Sequence, residues 1–179
     1  RRSHAPGTSY FFTVNTYHRQ RPLTHPEVLT TLRNALRAVR DQHPFRIDAL
    51  VVLPDHLHAL WTLPPGDADF AIRWSLIKRQ VSQSSRYLIV QPQSASRSKR
   101  REIGFWQRRY WEHLIRDDAD FERHVDYVHY NPVKHGLVEQ VRDWPYSTFH
   151  RYVRLGMCPS DWAGGDAVVT GEGYGEFAE

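Results

Sequence analysis

At 179 residues, with 40% hydrophobic and 13% aromatic side chains, the chain has the make-up of a folded protein with room for one sizeable core and not for two. Lys and Arg outnumber Asp and Glu by 24 to 20, and arginine supplies most of the positive charge; the formal charge of +4 favours an anionic partner such as nucleic acid. A single cysteine, Cys158, excludes an internal disulfide and a cysteine-rich zinc site, no apolar run reaches transmembrane length, and Arg1-Arg2-Ser3-His4 leads into no signal-peptide core, so the expected compartment is the cytoplasm.

Tyr10-Phe11-Phe12-Thr13-Val14-Asn15-Thr16-Tyr17 concentrates aromatic and β-branched residues and predicts a central strand. Thr24 or His25 ends the next loop, Pro26 suits a first helical position and Glu27 complements the helix dipole. Val28, Leu29, Leu32, Ala35, Leu36 and Val39 then recur at helical spacing, predicting an amphipathic helix over 26–42. Phe45 to Leu53 reads as a second strand, Pro54-Asp55 as a tight connection and His56 to Leu63 as a third strand. After the break at Pro64-Pro65-Gly66-Asp67, the positions of Phe70, Ala71, Trp74, Ile77, Lys78 and Val81 predict a helix over 69–88, with Arg73 among its polar positions. Gln91 to Arg101 is a low-complexity stretch read as an exposed loop. Its Arg97, Lys99, Arg100 and Arg101 are candidate DNA contacts, of the kind that neutralises phosphates without reading sequence.

Gly104 to Ile115 mixes aromatics with arginine and predicts another strand. Phe105, Trp106, Tyr110 and Trp111 suit stacking on unpaired bases, with Arg108 and Arg109 as candidate backbone contacts, although core packing claims at least half of the rings. Asp117 or Asp118 is placed to cap the helix that follows, and Asn131-Pro132 predicts a bend or the helix end, because the residue before proline is biased away from helical geometry. Gly136 ends a short continuation, and Trp144-Pro145-Tyr146-Ser147 starts a last helix to about Leu155. The glycine-rich stretch from Gly156 reads as loosely ordered, which divides the chain into a catalytic domain over 1–155 and a tail over 156–179.

The chemistry concentrates in two segments. In a strand, His56 and His58 point to one face while Leu57, Ala59 and Trp61 point to the other, which makes a two-nitrogen clamp for a metal. A lone His-x-His is more often a pair of half-buried histidines, and what shifts that balance is the helix carrying Tyr127 and Asn131 at i and i+4 on one face. Two neutral imidazoles and an amide oxygen leave coordination positions for water and a phosphate oxygen, and such a metal acts as a Lewis acid on a phosphodiester. Tyr127 offers a phenol as nucleophile; its attack makes a phosphotyrosine bond and frees a 3′-hydroxyl, conserving the bond energy that hydrolysis would discard.

Leu53-Pro54-Asp55-His56-Leu57-His58, the run from Tyr127 to Val138 (YVHYNPVKHGLV), Trp106 to His113 and Trp144 to His150 together resemble the REP-associated tyrosine transposases, in order and over about Tyr10 to Gly165. These are relatives of the single-tyrosine transposases of small insertion sequences, within the HUH nuclease superfamily named for His-hydrophobe-His. The resemblance implies an α+β fold, a ferredoxin-like antiparallel sheet flanked by helices, with the tyrosine on a helix beside the histidine strand. It implies Mg²⁺ or Mn²⁺ held by His56, His58 and Asn131, and it selects Tyr127 over Tyr130, which also shares the helix face. It further implies cleavage and rejoining of single-stranded DNA, folded as repetitive extragenic palindrome hairpins, through a covalent 5′-phosphotyrosine in the bacterial cytoplasm at the nucleoid. Insertion-sequence relatives use Gln where this chain has Asn131, and they act as dimers, whereas the REP-associated branch is able to act as monomers; the working unit is thus a monomer or a homodimer. Two other readings remain: a non-catalytic binder of hairpin single strands, and a nuclease that uses water. His113, His124, His129 and His135 read as surface or satisfied polar residues, and Glu112 as a solvated carboxylate.

Overall fold

The structure, a computed structural model, describes residues 7–88, 103–164 and 174–175; the candidate contacts Arg97, Lys99, Arg100 and Arg101 lie outside the described residues. The aromatic run becomes β1 (Ser9–Asn15), which pairs antiparallel with β3 (His56–Thr62) on one side and β4 (Trp111–Leu114) on the other. β2 (Arg46–Val52) pairs antiparallel with β3, completing the order β2-β3-β1-β4. With α1 (Pro26–Gln42) between β1 and β2, and α2 (Phe70–Ser84) between β3 and β4, this is the ferredoxin-like arrangement.

Alternation along the strands divides the sheet into two unlike faces. Tyr10, Phe12, Val14, Leu57, Ala59 and Trp61 pack with α1 and α2 in an aromatic core, where Trp61 stacks on Trp74 at 4.2 Å between ring centroids. All six periodic residues of α1 are buried there, and each of the five Val and Leu side chains contributes about 2 kcal/mol. Phe11, Ala49, Val51 and Leu60 face the opposite side and pack under Val125, Tyr127 and Val128 of α3 (Asp118–Lys134). Because both faces of β1 are covered, burial is continuous from Tyr10 to Asn15 and does not alternate, with Tyr10-Phe11-Phe12 an unbroken apolar run.

Three expectations change. The tyrosine helix does not end at Asn131 but runs through Pro132 to Lys134. Proline there removes one hydrogen bond in the last turn, and a Schellman closure offsets it: Leu137 N donates to Pro132 O at 2.9 Å and Gly136 N to Val133 O at 2.9 Å, with Gly136 at φ +64. Asn131 thereby keeps helical geometry. The last helix is also shorter than predicted, α4 (Phe149–Arg154), because residues 146–148 lie along the outer edge of β2, with Val52 N donating to Tyr146 O and Thr148 N to Leu50 O, both at 2.9 Å. α2 gives way after Ser84 to a separate 3-10 turn over Arg86–Leu88. Arg73, a polar position of that helix, is buried, its guanidinium held by Asp67 at 2.5 Å and by the carbonyls of His43, Pro44 and Asp69.

Candidate active site

β3 turns His56 and His58 toward α3, with ring centroids 4.8 Å apart and an interplanar angle of 83°. Each ring is oriented through Nδ1. His56 Nδ1 donates to Asp55 Oδ1 at 2.7 Å, and Asp55 also pairs with Arg19 Nε at 3.1 Å. His58 Nδ1 lies 2.9 Å from Thr13 Oγ1, across the β1–β3 register; the Thr13 hydroxyl donates to Tyr174 O at 2.5 Å, so it accepts from His58 Nδ1–H. Both imidazoles therefore present Nε2 as a lone pair. Those two Nε2 atoms and Asn131 Oδ1 are buried, and among the described residues no hydrogen bond reaches these three atoms. Burial lowers the pKa of His56, against the opposing pull of Asp55, and so favours the neutral ring that a cation needs. Asp55 is held below the usual carboxylate range: its burial is outweighed by the hydrogen bond from His56 and by the Arg19 guanidinium.

Asp117 caps α3 by accepting from Asp120 N at 2.7 Å, and the helix carries Tyr127 and Asn131, both buried, against the histidine strand. The Tyr127 ring meets His58 edge-on at 5.2 Å, stacks on Tyr174 at 3.7 Å, and its Oη accepts from Lys134 Nζ at 3.1 Å. Tyr130 turns away, toward Trp162 and Gly164. Only one of the two rival phenols therefore faces the histidines. Tail residue Tyr174 is part of this lining, a contribution that its glycine-rich surroundings do not signal.

Of the other candidates, Phe105 and Trp106 belong to the core, which removes them from base stacking, while Tyr110 and Trp111 are half-buried. Arg108 and Arg109 are exposed beside the site's rim, since Gln107 N donates to Asn15 O at 2.9 Å and Asn15 lies opposite His56. Glu112 pairs with Phe12 and so lies on the far side of the sheet from the histidines. His135, read as a surface residue, places its ring 5.1 Å from His56. Asp55 had a sequence signal, a carboxylate adjoining His-x-His; Thr13 and Arg19 had none, because a strand register and a loop conformation bring them in. His18 and Arg19 are consecutive residues in the left-handed region, at φ 51 and 52, a conformation costing about 1–2 kcal/mol per residue, in the turn that holds Arg19 on Asp55.

A second cluster, His113, Asp120 and His124, also offers ligand atoms within 4.8 Å of one another. Its carboxylate is already committed. Asp120 accepts from His113 Nε2 at 2.9 Å, Arg116 Nε at 3.1 Å and Arg123 Nη2 at 3.2 Å, and His124 Nδ1 donates to the Asp120 carbonyl at 2.7 Å. Two guanidinium groups oppose a further cation there.

Among the described residues, no helix is long and apolar enough to cross a membrane. The family described as "Transposase IS200 like" matches residues 7–131. The REP-associated tyrosine transposase of Escherichia coli (strain K12) is 46% identical over 168 residues, covering 92% of this chain and 90% of that protein. The "Putative REP-associated tyrosine transposase" of Haemophilus influenzae (strain ATCC 51907 / DSM 11121 / KW20 / Rd) is 42% identical over 177 residues, covering 96% of this chain and 97% of that protein. A REP-associated tyrosine transposase solved bound to a REP hairpin superposes with a TM-score of 0.81 at 45% identity, covering 98% of this chain and 95% of that one. A histidine pair facing a helical tyrosine on this sheet, together with this identity over nearly the full length, places the chain among the IS200-like transposases, where it belongs to the REP-associated tyrosine transposases.

Proposed function

We infer that the chain nicks and rejoins single-stranded DNA carrying repetitive extragenic palindrome hairpins, with Tyr127 as nucleophile and His56, His58 and Asn131 as ligands of Mg²⁺ or Mn²⁺. One observation carries the reading: among the described residues no hydrogen bond meets three buried acceptor atoms, Nε2 of His56, Nε2 of His58 and Oδ1 of Asn131, on the strand and the helix that meet where the Tyr127 ring lies against His58. Two neutral imidazoles and an amide oxygen suit a divalent ion, which supplies Lewis-acid polarisation of the scissile phosphate. Asp55 and Thr13 hold the ligand rings in the required tautomer. Tyr127 Oη forms a bond to phosphorus as the bond from phosphorus to O3′ breaks; the phenol loses its proton to solvent and O3′ takes one up. The products are a 5′-phosphotyrosine and a free 3′-hydroxyl, and rejoining is the reverse.

All four side chains come from one chain, which supports a monomer as the working unit. The hairpin bound to the solved relative supports the same class of DNA here. Exposed Arg108 and Arg109, with Arg97, Lys99, Arg100 and Arg101, serve as phosphate contacts; alanine variants should weaken binding with a shallower salt dependence.

The test is a denaturing gel with end-labelled hairpin DNA, with and without Mg²⁺ or Mn²⁺. A metal-dependent protein–DNA adduct on the 3′ fragment is expected for the wild type and Tyr130→Phe, and none for Tyr127→Phe. Cleavage with no adduct would favour activated water, and binding with no cleavage would reduce the protein to a hairpin binder.

A further inference from the structure

Lys134 stands two helical turns beyond Tyr127 in the last turn of α3. It is exposed, yet its ammonium returns to the buried phenol, with Nζ 3.1 Å from Oη and 4.7 Å from the ring centroid. A last-turn lysine complements the helix dipole from many rotamers, and holding one of them costs side-chain entropy, so dipole complementation leaves the phenol contact unexplained. The contact places a positive charge on the one atom of the site that changes from phenol to phosphoester in the reaction.

We propose that Lys134 is a catalytic residue of strand transfer, whose ammonium hydrogen-bonds Tyr127 Oη and stabilises the negative charge on that oxygen in both directions of the reaction. The assignment rests on the phosphotyrosine reading above. In cleavage the Oη–P bond forms and the P–O3′ bond breaks, one proton passing from Oη to solvent and one from solvent to O3′. In rejoining the 3′-hydroxyl attacks phosphorus and Oη departs, and the same ammonium stabilises the departing phenolate. A lysine that merely held a DNA phosphate would act on affinity; this one acts on the rate in both directions, because it touches the oxygen that is nucleophile in one and leaving group in the other.

The experiment uses the full chain with end-labelled single-stranded hairpin DNA and Mn²⁺, and measures single-turnover adduct formation at saturating DNA. Lys134→Met is expected to slow adduct formation by about 100-fold, as loss of one preorganised donor does, while hairpin affinity stays within about threefold. Lys134→Arg should recover all but about tenfold, since it restores the charge with altered donor geometry. Added ethylammonium should accelerate Lys134→Ala and leave the wild type unchanged, which also shows that the variant is folded. Rejoining from a preformed wild-type adduct sets the reference for the same loss in Lys134→Met. A wild-type rate in Lys134→Met, or a loss confined to hairpin affinity, would overturn the assignment while leaving the phosphotyrosine chemistry intact. Absence of any adduct in the wild type would instead overturn both.

Discussion

Two histidine clusters face the same side of the sheet under the same helix, and they have opposite electrostatic character. At His56 and His58 the partners lie behind the rings: Asp55 and Thr13 accept hydrogen bonds from the Nδ1–H groups and leave the buried Nε2 atoms as acceptors, as is the buried Oδ1 of Asn131. At His113, Asp120 and His124 the partners lie in front, with Arg116, Arg123 and His113 all donating into one carboxylate, whose pKa is driven far below the usual range despite its burial. Residue types alone would nominate the second cluster, which contains the only carboxylate of the two sets. Capacity for a cation is set by which atoms already carry protons and charges, and by that measure the first cluster suits the metal proposed for it while the second is an internal salt bridge that fastens β4 to α3.

The largest contrast should come from truncating one histidine in each cluster. His58→Ala should abolish the Mn²⁺-induced rise in Tm and reduce adduct formation by at least about a thousandfold, as expected for losing several kcal/mol of metal assistance. His113→Ala should keep both within a few fold. A metal response lost in His113→Ala and retained in His58→Ala would exchange the two assignments. Next, Asp120→Ala should cost about 3 kcal/mol of stability in thermal or urea unfolding, the low end for breaking a buried ion pair, because Arg116 and Arg123 are 68% and 43% exposed. Its metal-induced Tm shift should persist.

A smaller effect belongs to the partners behind the ligands. Asp55→Asn keeps the shape but not the charge behind His56, and Mn²⁺ titrations followed by Tm should show affinity about 10–100-fold weaker. The smallest concerns a histidine in neither cluster. Burial, with Arg151 and His150 nearby, lowers the pKa of His129 to about 3 from 6.5. The neutral buried ring therefore contributes stability that is complete above the unfolded value and is lost as pH falls toward the folded one. At pH 5.5 the wild type should have lost about 1.4 kcal/mol that His129→Gln retains, read as the difference between their unfolding curves at pH 7.5 and 5.5.

Legibility followed sequence distance. The α1 stripe from Val28 to Val39 and the alternation of His56 and His58 depend on neighbours within one turn or two residues, and both are present as expected. The end of α3 was not legible in that way, because the bias at Asn131-Pro132 competes with a closure formed beyond it at Gly136 and Leu137. Residues 144–148 had helical signals, and 146–148 lie instead along the β2 edge, whose unpaired backbone groups they satisfy. Arg73 appeared as a polar helix position, and only the packing of α2 beside His43 and Pro44 shows it as a buried anchor.

By itself the sequence determined the strand and helix types, the face shared by His56 and His58, the face shared by Tyr127 and Asn131, and, through its motifs, the transposase resemblance. Those are consequences of backbone periodicity and of short contiguous runs. Tertiary structure decided that Tyr127 and not Tyr130 meets His58, that Thr13 sets the tautomer of His58 from the neighbouring strand, that Lys134 and Tyr174 reach the phenol, and that Asp120 is saturated. Each of these depends on register or rotamer between groups brought together by packing, and such geometry is fixed only when burying both faces of one sheet leaves each side chain a single place to go.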